Sequence, residues 1–513
     1  MRNCACMTTP TARIIIDPRY IAADIDPRIY GGFAEHLGKH IYTGMYEPGH
    51  ATADANCFRT DVIELVRGLG MPIIRYPGGN FVSGYDWEDG IGPKGERQKR
   101  LDLAWGVTET NQFGTNEFMD WCKLVGTEPM LAVNLGTRGI DDARKLVEYC
   151  NHPGGTALSD LRKHHGYAAP HAIKTWCLGN EVDGFWQMGT KTASEYGRLA
   201  REASKLMKAV DRRIETILCG SSGRAMPTFG HWEWESLMEA YDQVDYVSLH
   251  TYYDDHGGDM AAFLAEPENM GDFIREAASV CDAVKATKKS RKTMMLSFDE
   301  WNVWFPENNL IDRSPTWPEL SKRASDVYDM ADVLCVGGML LTLLENAARV
   351  RIACIAQLVN VLAPILTEPG GPAWRQTIWW PFALTSQYGR GQVLHTPVVA
   401  PVYDAKNRDA VPVIKSVTVL ADTADGPALH IFVINREPSG APVDIEIDVR
   451  GCFPCGSMVH HCIRHDVLRT ENTIDAPNAI TPVVTEHVVD ASGEIHLRLA
   501  GWSWNLVRIG LVG

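Results

Sequence analysis

Two carboxylates stand at the ends of apolar runs in this chain. Glu181 closes Trp176-Cys177-Leu178-Gly179-Asn180-Glu181, and Glu300 follows Leu296-Ser297-Phe298-Asp299 and precedes Trp301. A pair of carboxylates can cleave a glycosidic bond: one, protonated, gives its proton to the leaving oxygen, while the other attacks the anomeric carbon or activates a water. A retaining enzyme holds the pair about 5–5.5 Å apart and an inverting enzyme roughly 6.5–9.5 Å. A nucleophile must stay ionised, so cationic Arg75 and the phenol of Tyr252 suit Glu300. A proton donor needs less cationic surroundings or a second carboxylate nearby, which suits Glu181.

Such a pair works only if the chain brings two distant segments together. Between about Ile29 and Ile365 short apolar runs alternate with stretches of helical period, the pattern of repeated βα units. Eight strands are predicted, ending near Glu35, Tyr76, Asn134, Glu181, Gly220, His250, Glu300 and Gln357, with helices over residues 60–69, 116–125, 141–150, 192–210, 270–287 and 325–344. The polar residues at these ends, Glu35, Arg75, Asn134, Asn180, Glu181, His250, Tyr252, Glu300 and Gln357, form a ring of the kind found at the C-terminal mouth of a (β/α)8 TIM barrel. A doubly wound open sheet would gather its ligands at one switch point instead.

After Gln387 the texture becomes short alternating runs broken by Gly, Pro and Asp, which predicts an antiparallel β-sandwich. The run at residues 12–16, with 21–25, could join it. The expected division is therefore 1–25 with the sandwich, 26–388 as barrel and 389–513 as sandwich, and 513 residues exceed what one core usually supports.

Forty-nine Lys and Arg against 64 Asp and Glu give a formal charge of −15, which argues against nucleic acid or an anionic membrane as partner. Thirteen cysteines, an odd number scattered through apolar runs, read as free thiols in a reducing compartment. The first residues lack an apolar stretch with a cleavage site, and the run at 333–344 is too short to span a bilayer, so a cytoplasmic protein is expected.

Five segments in order carry a family resemblance: Gly31-Gly32-Phe33-Ala34-Glu35-His36, Arg75-Tyr76-Pro77-Gly78-Gly79-Asn80-Phe81, Trp176 to Glu181, His250-Thr251-Tyr252 and Asp299-Glu300-Trp301-Asn302. Together they resemble the α-L-arabinofuranosidases of glycoside hydrolase family 51, from about Ile14 to Leu506. The resemblance implies a retaining clan A enzyme with Glu181 as acid/base and Glu300 as nucleophile. Glu35, Asn80, Asn180, Tyr252 and Gln357 would bind a terminal arabinofuranose, and Arg75 and His250 would orient the pair. It also implies a cytoplasmic homo-oligomer, often a hexamer, with no metal or other cofactor, acting on arabinofuranosyl oligosaccharides from arabinan or arabinoxylan. Amides both donate and accept, which suits a sugar with several hydroxyls, whereas Glu35 is expected as an acceptor. Phe33, Trp105, Trp301 and Trp304 are candidate walls for the sugar faces.

Other readings stay open on the sequence: an endo-β-glucanase of the same family, a non-catalytic carbohydrate-binding protein, and a metal-dependent sugar isomerase on the same fold. His36 and His40 lack the order of a zinc-protease helix. Cys452 and Cys455 with His460, His461, Cys462 and His465 are dense in possible zinc ligands, but their spacing departs from finger and ribbon patterns. Arg97-Gln98-Lys99-Arg100 reads as solvated loop charge, and residues 301–318 as a long loop shaping the leaving-group side.

Overall fold

The computed structural model describes residues 11–305, 316–321, 323, 325–451, 453–489 and 495–512. Its centre is a closed barrel of eight parallel strands in chain order: β1 Gly31–Phe33, β2 Ile73–Tyr76, β3 Glu128–Ala132, β4 Thr175–Cys177, β5 Glu215–Leu218, β6 Tyr246–Tyr253, β7 Met295–Val303 and β8 Val350–Ala356. Cys354 opposite Gly31 and Ala356 opposite Phe33 close the ring. All eight predicted strands are present.

The helices follow their apolar faces. Thr60–Leu69 buries Val62, Ile63, Val66 and Leu69 at helical spacing and stops at Gly70, whose φ of 65° a side chain disfavours. Ala193–Val210 starts at Thr192, whose hydroxyl accepts from the Glu195 amide while Glu195 caps back. Three helices are additional to those predicted: Ala157–His164, His231–Ala240 and Trp379–Tyr388. The predicted 270–287 helix begins earlier, at Met260, carrying Pro267 within it.

Met330–Glu345 buries every residue but its last, because it lies between the barrel and the second layer. There Gly337 faces Trp504, whose ring would lie 2.5 Å from any Cβ at that position. Among the described residues no helix is long and apolar enough to cross a membrane.

The C-terminal part packs two sheets. One has seven strands in the order Ile21–Asp24, Gln392–Leu394, Ile414–Thr423, Gly426–Asn435, Ser503–Val512, Phe453–Arg464 and Val483–Val488. The other orders Val398–Val399, Thr11–Ile16, Val443–Val449 and Ile495–Leu499. Ile14, Ile16, Ile431, Val433, Ile445, Ile447, Val507 and Ile509 fill the space between them. The expectation of a purely antiparallel sandwich is corrected at one place: Thr11–Ile16 runs parallel to Val443–Val449, since its entry from the opposite end of the chain needs no hairpin. The nine described cysteines are all free thiols, seven of them buried.

Candidate active site

The barrel's C-terminal mouth gathers the predicted residues. β7 carries Glu300, whose Oε1 accepts from Arg75 Nη1 of β2 at 2.6 Å and whose Oε2 accepts from the Tyr252 hydroxyl of β6 at 2.8 Å. Burial and the charges of Glu300 and Glu181 hold the Tyr252 phenol well above its ordinary value, so it stays a donor.

Glu181 stands just beyond β4 with φ of 42°, a left-handed conformation that costs a non-glycine residue on the order of 1 kcal/mol. Such strain concentrates at working sites. Its Oε1 meets His250 Nδ1 at 3.0 Å, and its Oε2 accepts from Trp186 Nε1 at 2.8 Å.

His250 joins the two glutamates. Its Nδ1 is also 3.6 Å from Glu300 Oε2, and one oxygen of each glutamate and a His250 nitrogen all lie within 4.8 Å of one another. Burial opposes a charge on this imidazole, yet Glu300, Asp299 and Glu181 outweigh it and push the ring up to about 10. Of the two surroundings expected for Glu181, the less cationic one is corrected, because the His250 ring, pushed toward its charged form, lies 3.0 Å away, while the second carboxylate is at hand in Glu300.

Glu35, at the end of β1, is buried below the pair. Its Oε1 accepts from the Phe81 amide and from Trp105 Nε1, both at 3.1 Å, and its Oε2 from Gln357 Nε2 at 2.8 Å. Burial, helped by the charge of Glu300, pushes its carboxyl up to about 8. In all three of these hydrogen bonds Glu35 is the acceptor. Gly79 lets this carboxyl in, since a Cβ there would sit 2.4 Å from Glu35 Oε1.

Asn180 Oδ1 takes Arg75 Nη2 at 2.7 Å, and its amide faces Asn80 Oδ1 at 3.4 Å. Trp304 stands edge-on to Tyr252 with ring centres 5.7 Å apart. Phe33 lies under the Arg75 guanidinium at 4.6 Å. Trp301 does not line the mouth; it is fully buried and stacked on Phe382, as part of the core. Asn134 turns away too, accepting from the Gly136 and Thr137 amides of its own turn.

Sequence reasoning missed Trp186, for which the signal is its place five residues after Glu181, and Asp299 and His40. Asp299 escapes a period-two reading because β7 slips register against both neighbours: Phe298 and Asp299 oppose Leu249 alone, and Asp299 and Glu300 oppose Cys354 alone. Such a bulge re-aims side chains, and here consecutive carboxylates both reach Arg75. His40 Nδ1 meets Gln357 Oε1 at 2.6 Å, which turns the Gln357 amide nitrogen toward Glu35.

The spacing of Glu181, His250 and Glu300 is one a cation could bridge. Their donor atoms are already engaged by the protein, however: Arg75 and Tyr252 meet Glu300, and Trp186 meets Glu181. His36 is engaged by Glu109 and Tyr76, not by His40. In the Cys/His stretch, Cys452 and the Cys455 side chain lie outside the described residues, His460 bonds Asn505, His461 packs on Tyr388 and His465 bonds Thr470. The basic patch is paired rather than merely solvated: Arg97 is buried against Glu117, Lys99 meets Glu319 and Arg100 meets Asp89. Most of the 301–318 loop lies outside the described residues.

A closed parallel barrel with two carboxylates converging over its C-terminal mouth defines a glycoside hydrolase. Residues 65–270 match the α-L-arabinofuranosidase 1 domain and residues 299–503 the α-L-arabinofuranosidase C-terminal domain. An intracellular exo-α-(1→5)-L-arabinofuranosidase of Halalkalibacterium halodurans is 50% identical over 505 residues, 98% of this chain and 99% of its own. An exo-α-(1→6)-L-arabinofuranosidase of Bifidobacterium longum is 45% identical over 511 residues, covering 97% of each chain. The solved structure of a family 51 α-L-arabinofuranosidase from Bifidobacterium longum superposes with a TM-score of 0.92 at 40% identity, over 98% of this chain and 100% of that one. The chain belongs to the α-L-arabinofuranosidases of glycoside hydrolase family 51.

Proposed function

We propose that this α-L-arabinofuranosidase works by double displacement, with Glu300 as nucleophile and Glu181 as acid/base, releasing terminal non-reducing arabinofuranosyl residues from arabinan or arabinoxylan oligosaccharides. The approach of the two glutamates carries this reading: oxygens within 4.8 Å leave no room for the water that an inverting enzyme places between them.

In the first step a Glu300 oxygen bonds the anomeric carbon as the bond to the leaving oxygen breaks, and Glu181 gives that oxygen its proton. In the second, Glu181 takes a proton from water, whose oxygen bonds the anomeric carbon as the ester to Glu300 breaks. Arabinose leaves and Glu181 is again protonated. Arg75 and Tyr252 aim the two Glu300 oxygens, and His250 holds Glu181 against the pair. Asn80, Asn180, Gln357 and Glu35 face the sugar hydroxyls, with Trp105 and Trp304 as its walls.

Following the first product by proton NMR tests the stereochemistry. The α-anomer should appear first, and initial release of the β-anomer would sink the mechanism. Turnover of p-nitrophenyl α-L-arabinofuranoside without action on carboxymethylcellulose separates this reading from an endo-glucanase. The two relatives differ in linkage, so arabinobioses joined 1→5 and 1→6 should be compared, and the higher identity favours the first. The intracellular name of one relative and the nine free thiols support a cytoplasmic setting. The homohexamer implied by family resemblance is checked by light scattering on the purified protein.

A further inference from the structure

Asp299 is 1% exposed and touches both cations of the site from the side opposite the glutamates. Arg75 uses Nη1 for Glu300 and Nη2 for Asn180, while its Nε faces Asp299 Oδ2 at 3.6 Å. His250 turns Nδ1 to Glu181 and Glu300, while its Nε2 faces Asp299 Oδ1 at 3.4 Å. Ser248 Oγ donates to Asp299 Oδ1, and the Cys177 thiol lies 3.5 Å from Oδ2. We propose that Asp299 is a positioning residue, the shared counter-ion that fixes Arg75 behind the nucleophile and His250 behind the acid/base. The inference rests on the roles given above to Glu300 and Glu181.

The physical argument is one of charge and of shape. A fully buried carboxylate is costly unless paired and hydrogen-bonded. Burial does press Asp299 upward, yet Arg75, His250 and Ser248 together hold it below its usual range, so it is an anion. An anion 3.4 Å from Nε2 favours a hydrogen on that nitrogen by charge, while Nδ1 meets Glu181 at 3.0 Å. The same anion attracts the Nε edge of the guanidinium by charge at 3.6 Å, beyond hydrogen-bond distance, as Nη1 and Nη2 reach Glu300 and Asn180. The groups facing His250 are Glu181 beyond β4, Asp299 and Glu300 on β7, and those facing Asp299 are Arg75 on β2, Cys177 on β4, and Ser248 and His250 on β6. None of the other groups facing Asp299 replaces its charge.

The test is Asp299→Asn, which keeps the shape and removes the charge. Its kcat on arabinobiose should fall about 100-fold, by analogy with other carboxylates that orient a catalytic histidine or ligand, with little change in KM. A merely structural role could also lower kcat, so the deciding readout is the nitrogen-15 NMR titration of His250, assigned by its loss in His250→Gln. The midpoint should drop by about one unit or more in Asp299→Asn and stay put in Ser248→Ala, which leaves the carboxylate in place. An unmoved midpoint in Asp299→Asn overturns the proposal. If that variant does not fold, the wild-type spectrum decides: both ring nitrogens protonated at pH 7 upholds it, and a neutral ring overturns it. Wild-type rates in both Glu300→Ala and Glu181→Ala would instead refute the catalytic assignment beneath it.

Discussion

Two charge clusters divide the labour of this molecule. At the barrel mouth four carboxyl groups, Glu35, Glu181, Asp299 and Glu300, crowd around two basic side chains, Arg75 and His250. Where the barrel meets the sandwich, Glu268 and Glu345 are matched by Lys415 and Arg436, with Glu268 to Lys415 at 3.1 Å, Glu268 to Arg436 at 2.8 Å and Glu345 to Lys415 at 2.7 Å. The matched cluster holds the Glu268 carboxyl well below its usual range: burial opposes the charge, but Lys415 and Arg436 overcome it. In the mouth, burial helped by Glu300 pushes Glu35 up to about 8, while for His250 burial is overcome by Glu300, Asp299 and Glu181, which push it up to about 10. Burial alone does not mark a working site; carboxyl groups crowded beyond the number of their basic partners do.

The largest contrast should come from Glu300→Ala. Loss of the nucleophile should lower kcat about 10⁴-fold or more, while the melting temperature holds or rises because a crowded carboxyl group is gone. A melting loss as large as that of an interface variant would break the comparison. Glu181→Ala should cost about 10²–10³-fold on arabino-oligosaccharides and clearly less on the nitrophenyl glycoside, whose leaving group needs little protonation. Equal losses on both substrates would remove Glu181 from the acid role.

Glu268→Gln should behave in the opposite way, keeping its activity at 25 °C and losing ~3 kcal/mol of stability in denaturant titrations. A carboxyl held below its unfolded value of 4.5 stabilises above that pH and loses the contribution as pH falls. The gap from wild type should therefore narrow below about pH 4.5. The smallest effect concerns Glu35, whose folded value lies above its unfolded one. Its wild-type contribution weakens as pH rises from 4.5 toward 8, because the unfolded chain ionises first. Melting curves of Glu35→Gln should thus improve relative to wild type between pH 5 and 8, and a gap that stays flat would deny the buried proton.

Legibility in the sequence followed periodicity. Helices such as Thr60–Leu69 were readable because each buries one regular face, and the barrel strands because, buried on both faces, they are short continuous apolar runs. Glu181, Glu300 and their neighbours were readable because a barrel places its chemistry at strand ends. Asp299 was hidden by the slipped register of β7, which breaks the alternation any strand reading assumes. His231–Ala240 was hidden because its apolar residues do not form a stripe, with Trp234 exposed opposite buried Trp232. Trp301 misled for a related reason: an aromatic beside a catalytic carboxylate points to the opposite side of its strand and joins the core. Parallel pairing of the first strand has no local signal, since its partner lies more than four hundred residues away.

That pairing has a temporal consequence. As the chain emerges from the ribosome, Thr11–Ile16 appears first, while Val443–Val449 and Val398–Val399 are still to be made. The barrel strands can close against one another in order of synthesis, but the earliest strand must wait with its apolar Ile14 and Ile16 unmatched. That sheet is complete only after strands made much later in the chain have joined it. Shortening the C-terminus should release the opening strand as well as the sandwich, although the two ends are adjacent only in space.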